Sequence, residues 1–461
     1  MRPRHSNLPR NRDWKAAEVL RLLFICLLAV SAGSISLNAQ IQTLAYVTND
    51  SGPPGGGTVS VIDTATNSVV GSPIAVEASS PIAIAITPDG TRAYVANFDS
   101  NSVSVINTAT NTLIGAPIAV GTRPRGVAIT PDGTHAYVAN SQSRTVSVID
   151  IATNTVVGSP IALGAYTPNN LAITPNGTRA YLTCGCGDGV AVIDSLTNTE
   201  IGVVPIPASL PYSVAITPDG TRAYVTTIGG SVNAVYVIDT ATNTVSGAAI
   251  PLPGEFGAAV AITPDGTRAY VAVGSPTFSA VSVIDTVTNS VLGSPITVGK
   301  DPLGLAITPD GTRAYVTNFT SNTVSVIDIA TNTLLGSSIV VGMNPEGIAI
   351  AKVCSSPTIS AVGANPNVIW PPNHEMIPVT VSGSTSGGCG AVSCKIIAVS
   401  SNEPIDSGGD WIITGNLTLE LEADRLGSGS GRVYTVTVQC TDASGNSVTK
   451  TTIVTVPHDQ R

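Results

Sequence analysis

The sequence predicts an all-β fold: a seven-bladed β-propeller of four-stranded blades followed by a small β-sandwich. Three observations carry that prediction. The phrase "ITPDGTRAYV", first met at residues 86–95, recurs with small changes from Ile129, Ile173, Ile216, Ile262 and Ile307. The Asp of "VID" falls at Asp63, Asp150, Asp194, Asp239, Asp285 and Asp328, with Asn107 in the same place, at spacings of 43–46 residues. Each period holds four β-branched or alternating apolar runs of three to six residues, too short for helices. Four short strands in a period of about 40–45 residues describe a propeller blade.

Residues 1–39 stand apart. Arg2, Arg4, Arg10, Arg12, Lys15 and Arg21 precede an apolar run from Leu22 to Ala32, and small residues lead to Ala39-Gln40. That is the pattern of a secretory signal peptide, its apolar run short for a membrane span, with an uncleaved anchor as the alternative. Phe24 and Ile25 before Cys26 lack the small residue of a lipoprotein signal, so Cys26 reads as part of the run. Losing six positive and two negative charges takes the net charge from −9 to −13. An acidic chain without a basic cluster excludes a nucleic-acid partner. No second apolar stretch is long enough to cross a bilayer, so the mature chain is expected to have no transmembrane segment. It should be secreted, whether extracellular, at the cell surface or in the periplasm, and is expected to be a monomer.

Residues 40–352 hold the repeats. In the copy near residue 126 the runs are 126–129, 136–138, 145–149 and 155–161. "TPDG" joins the first two: Pro suits φ near −65°, Asp bonds the backbone and Gly takes a positive φ. "DTATNT" joins the third and fourth, with Asp and Asn capping the turn. A repeated calcium loop is disfavoured, because calcium wants six to eight oxygens and each "TPDG" offers one carboxylate, replaced by Asn176 in the third copy. Arg92, Arg179, Arg222, Arg268 and Arg313 read as solvated or paired with nearby Asp, and His135 as a surface variant in the same slot. The array opens on a second strand, 44–47, and closes on a first strand, 347–350. Seven full blades require the last strand to join the first three, which also removes exposed sheet edges.

These residues resemble the YVTN-type bacterial β-propellers through Tyr46-Val-Thr-Asn49 and Tyr315-Val-Thr-Asn318, with Tyr94-Val-Ala-Asn97 and Tyr137-Val-Ala-Asn140 as close variants. The resemblance spans about residues 41–352 and implies the fold, while leaving function open.

From 353 to 461 the repeats stop. Runs such as 433–438 and 451–456 alternate as antiparallel strands of a β-sandwich. "WPPNHEM" (370–376), "GDWIITG" (409–415) and "CTDASGN" (440–446) resemble an Ig-like or hyalin-repeat-like module. Its four cysteines allow three pairings; we expect Cys394 with Cys440 across the sandwich and Cys354 with Cys389. Cys184 and Cys186, one residue apart, are expected to form a strained local disulfide, with a metal or redox site as the alternative.

No His-x-x-x-His, Cys-x-x-Cys or G-x-S-x-G motif is present, so no catalytic residue, metal site or cofactor is called for. The carboxylates near blade starts, Glu77, Glu255, Asp301 and Glu346, are scattered in sequence. The uniform loops occupy one face of the disc; the second-to-third loops and blade connections, which vary, occupy the other. Loops on a rigid scaffold carry function, so candidate binding residues are Phe98, Arg123, Arg125, Arg144, Tyr166, Tyr212, Phe256, Phe278, Lys300 and Phe319, types that dominate hot spots. The expectation is a secreted, non-catalytic binding or display protein whose partner is a protein or glycan of unknown identity. The alternative is a propeller enzyme, lactonase-like, or a quinoprotein or metal-related scaffold.

Overall fold

The computed structural model describes residues 41–458 except 51–55, 186–188, 208, 231–232, 355, 390, 406–408, 428–430 and 444. The expected signal segment and Cys186 therefore lie outside the described residues. The chain divides into two compact units, one of residues 41–355 and one containing residues 356–461.

The first unit is a propeller of seven antiparallel blades. Counting by inner strand, blades 1 to 7 begin with Pro81–Ile86, Pro124–Ile129, Pro168–Ile173, Ser209–Ile216, Phe256–Ile262, Pro302–Ile307 and Pro345–Cys354. Blade 7 is composite. Its inner strand comes from the C-terminal end of the unit and pairs antiparallel with Ile41–Asn49, which pairs in turn with Thr58–Asp63. The second and third strands of each blade are almost wholly buried, as the β-branched sequence demands, and the cores lie between adjacent blades. The fourth strands are mostly exposed and often broken in two, as in Thr112–Leu113 and Ile118–Ala119.

Two sets of hydrogen bonds run around the ring. Each second-strand Tyr is buried and its hydroxyl donates to an Asn side chain of the next blade: Tyr46 to Asn111 (2.7 Å), Tyr94 to Asn154 (2.6 Å), Tyr137 to Asn198, Tyr181 to Asn243 (2.6 Å), Tyr224 to Asn289 (2.6 Å), Tyr270 to Asn332 (2.5 Å) and Tyr315 to Asn67 (2.5 Å). These seven Asn are the last residues of the "DTATN" turns and hold φ of 52–55°, a conformation Asn tolerates better than other side chains. Burial raises the Tyr hydroxyl pKa values, which keeps them donors.

The second set corrects the expectation that the "TPDGTR" arginines are solvated or paired with Asp. Arg92, Arg179, Arg222, Arg268 and Arg313 each reach into the next blade, donating from Nη1 to the carbonyl of Ile151, Thr240, Thr286, Ile329 and Thr64. The Asp of the turn is occupied at home: Asp89 accepts from Thr87 Oγ1 (2.6 Å) and Thr91 N (3.0 Å), so the turn is a joint with its oxygens already used. Gly90 sits at φ +71°, as that turn requires.

In the second unit, the sheet of Thr358–Asn365, Met376–Ser386, Thr418–Glu422 and Trp411–Ile413 shares one core with the sheet of Ser393–Ser401, Gly431–Thr441 and Ser447–Pro457. Cys394 and Cys440 form a disulfide. They are directly opposite on adjacent strands of the second sheet, Cα atoms 4.0 Å apart, so the bridge staples one sheet and does not cross the sandwich. The side chain of Cys354 lies outside the described residues, as does any pairing with Cys389. Arg432, 1% exposed, is held by Asp410, by Glu403 at 3.3 Å and by Asp424 at 3.4 Å.

Candidate functional site

The inner strands read P-x-G/A/N/S-apolar-A-I, with Gly257 in place of the Pro in blade 5 and x changing in every copy: Ile82, Arg125, Asn169, Tyr212, Ala258, Leu303 and Glu346. At this slot the pairing with the second strand shifts register in every blade, between Pro81 and Ala83 in blade 1 and between Pro124 and Gly126 in blade 2, for example. A bulge leaves a residue unpaired and re-aims its side chain. All of these residues except Ala258 line one cavity of about 190 Å³. Next along the strand, Ile84, Val127, Val214, Val260, Leu305 and Ile348 also line it, an apolar belt toward the "TPDG" end of the channel.

Order around the ring sorts the slot residues by polarity. Blades 2, 3 and 4 present Arg125, Asn169 and Tyr212 side by side. Arg125 Nη1 donates to Asn169 Oδ1 at 3.4 Å, and Asn169 Nδ2 to Pro211 O at 3.5 Å. Blade 7 presents Glu346, whose ring neighbours are Leu303 of blade 6 and Ile82 of blade 1. Protein surrounds Glu346 although it keeps partial access to the channel. Burial pushes its carboxyl up to about 7, Arg125 opposes the rise and Asp50 adds to it. Tyr212 is likewise raised by burial, with Glu346 adding and Arg125 opposing, so its hydroxyl remains a proton donor. The backbone of Glu346 is fixed from blade 6: its carbonyl accepts from Thr317 Oγ1 at 2.8 Å, and Thr317 Oγ1 accepts from Gly304 N at 2.7 Å.

Of the residues expected on the variable face, Arg125 and Tyr212 line the cavity. Phe98 and Arg123 adjoin it, because the guanidiniums of Arg123 and Arg125 lie 5.1 and 5.2 Å from the centroid of the Phe98 ring. Tyr166, Phe256 and Phe278 pack on interblade cores. Arg144 and Lys300 are exposed, and Phe319 is partly buried beside Asp301. None of these six lines the cavity. Glu77, Glu255 and Asp301 do not line it either, while Glu346, scattered with them in sequence, does. Asn169 escaped notice altogether. The signal for both was the slot itself, the position at which all seven inner strands carry a different residue.

Cys184 is a buried free thiol, which corrects the expected local disulfide. It ends the second strand of blade 3, where its side chain packs into the core between blades 2 and 3 and its Sγ donates to Leu182 O at 3.6 Å. Burial pushes its pKa up to about 11, with the backbone of Ala191 opposing, a setting that suppresses thiolate chemistry.

The model of the family described as "Lactonase, 7-bladed beta-propeller" matches residues 37–175. No curated protein matches. Among solved structures, a putative 6-phosphogluconolactonase of Bacteroides fragilis superposes with a TM-score of 0.56 at 18% identity, covering 68% of this chain and 98% of that one. The periplasmic gluconolactonase PpgL of Pseudomonas aeruginosa gives 0.55 at 18% identity, covering 68% and 100%. Hydrazine synthase of Kuenenia stuttgartiensis gives 0.55 at 22%, covering 59% and 96%. At such identities the likeness is one of fold. The family match overturns the expectation of a non-catalytic binding or display protein: the matched family is one of enzymes, and one of the carboxylates judged scattered in sequence, Glu346, shares a cavity with Arg125 and Tyr212.

Proposed function

We propose that this protein is a lactonase-like hydrolase that opens a small cyclic ester in the channel of its propeller. The observation that carries the reading is Glu346, a carboxyl with its pKa near 7 set between two apolar neighbours in the same cavity as Arg125, Asn169 and Tyr212. A base is most effective when its pKa lies near the working pH. The carboxylate takes a proton from water as the water oxygen bonds to the lactone carbonyl carbon. Arg125 and Tyr212 supply donors for the developing oxyanion. The ring C–O bond breaks, the proton held by Glu346 passes to the departing alkoxide, and a hydroxy acid leaves with the Glu346 carboxylate restored. A cavity of about 190 Å³ suits a small ring and a water molecule and is below the ~300 Å³ of larger ligand sites.

The partial family match to residues 37–175 supports the same reading. We place the protein outside the cytoplasm, as an exported YVTN-type propeller with an Ig-like module. The basic-then-apolar start of the chain favours this, and one similar fold is named as periplasmic. The test is hydrolysis of a panel of five- and six-membered lactones by the full chain, followed by pH-stat. Turnover of at least one lactone that falls 10²–10⁴-fold in E346Q is expected. Undiminished turnover in E346Q would remove Glu346 from the chemistry, and inert behaviour toward the whole panel would remove the lactonase reading.

A further inference from the structure

The "TPDGTR" arginine is an interblade strut at five junctions, and two junctions lack it. At one, Leu44 takes the place and, 3% exposed, closes the gap with apolar packing. At the other, between blades 2 and 3, the residue is His135. Its Nδ1 lies 2.8 Å from Oγ1 of the adjacent Thr134, and among the described residues its ring makes no hydrogen bond to blade 3. The carbonyl that the missing arginine would reach is that of Ser195. At four of the arginine-bearing junctions the equivalent carbonyl accepts from both a Tyr hydroxyl and an Arg Nη1, as Thr240 O does from Tyr181 and Arg179. Ser195 O accepts from Tyr137 at 3.1 Å and, among the described residues, from no arginine. A carbonyl has two lone pairs, so one remains for a donor.

The gap is a cavity of about 600 Å³ that His135, Asp132, Ser195, Asn176 and Leu196 help to line. Its acidic surroundings match those of the junctions at Arg222, Arg268 and Arg313, whereas Arg92 faces Asn107 and the turn before Arg179 carries Asn176. Asp132 occupies the turn position that Asp89 holds beside Arg92, and Asp150 is paired in register with His135 as Asp239 is with Arg222. Leu196, 78% exposed, stands at the edge where the other copies of the turn carry Ala or Val.

We propose that the groove between blades 2 and 3 is a binding site for a guanidinium group, supplied by a small guanidino compound or by an arginine side chain of a polypeptide. The recognition elements are those by which the same molecule seats Arg222, Arg268 and Arg313: a turn carbonyl with a free lone pair, and two nearby carboxylates that act through their charge while their oxygens are bonded within their own turns. Leu196 gives the aliphatic part of the ligand a surface to cover. This site is independent of the channel and of any chemistry there.

The probe is ethylguanidinium chloride, with ethylammonium chloride as the charge-matched control, titrated into the full chain carrying 13C-methyl leucine. Ethylguanidinium should shift the Leu196 methyl signals saturably, and ethylammonium should bind at least tenfold more weakly because it lacks the planar fork. In H135R the strut refills the groove, so binding should weaken at least tenfold; in H135A it should be kept or strengthened. An acetyl-Arg-Leu amide that binds tenfold tighter than ethylguanidinium would identify a polypeptide arginine as the source, and equal binding would identify a small guanidino compound. Equal response to both cations, or binding unchanged in H135R, would overturn the proposal.

Discussion

At the scale of single residues, Glu346 ties stability to pH in a calculable direction. Its pKa rises on folding from an ordinary 4.5 to about 7, so between those values the folded chain binds more protons than the unfolded one. Stability from this group is therefore full below about 4.5 and declines as pH rises to about 7. At about 1.4 kcal/mol per pH unit the ceiling is ~3 kcal/mol, which access of water to the channel reduces. E346Q should raise the melting temperature at pH 8 and leave it nearly unchanged at pH 4; an equal gain at both would disprove the assignment. Arg125 holds the same pKa down, so R125Q should move the rising limb of the pH–rate profile for lactone hydrolysis to higher pH, whereas a purely structural Arg125 would lower the rate without moving the limb. None of this was legible residue by residue. Arg125, Tyr212 and Glu346 were all visible in the sequence, but a carboxylate 221 residues from an arginine gives no sign of sharing its cavity until the ring is closed.

At the scale of strands and turns, the sequence was far more explicit. "TPDG" and "DTATN" declare their turns because Pro, Gly, Asp and Asn are restricted by local sterics, and local sterics do not depend on the rest of the fold. The partners of Arg92 or Tyr181 lie on the next blade, so spacing along one blade could not reveal them. The Tyr–Asn contacts give a direct test. N243A removes the acceptor of a buried hydroxyl and places Ala at φ 54°, and chemical denaturation should show a loss of about 1–3 kcal/mol. A loss below a few tenths would mean that the Tyr–Asn bond contributes nothing net. Gly304 offers a sharper link between strand and site. A Cβ there would lie 2.2 Å from the carbonyl oxygen of Glu346, so G304A must move that backbone. Its lactone turnover should fall at least tenfold while residues far from blades 6 and 7 keep their NMR shifts; unchanged turnover would show that the position of Glu346 is not critical.

At the scale of the whole molecule, the offset between the sequence repeat and the blade explains how the ring holds. The phrase repeated in sequence begins on an inner strand, but the unit begins on a second strand, and Pro345–Cys354 completes the sheet that Ile41–Asn49 began. This much followed from the sequence, because an unpaired strand at each end of the array has one economical partner. A chain ending at residue 344 should leave the edge of Ile41–Asn49 open and associate on size-exclusion chromatography; a monomer with the parent melting temperature would contradict closure by that strand. The same strand carries Glu346. Ribosomal synthesis therefore delivers the proposed base last among the channel residues, and no shorter intermediate of the growing chain contains it. Completion of the ring and arming of the channel are a single event, so a copy halted anywhere before this last strand is inert toward ester bonds by construction.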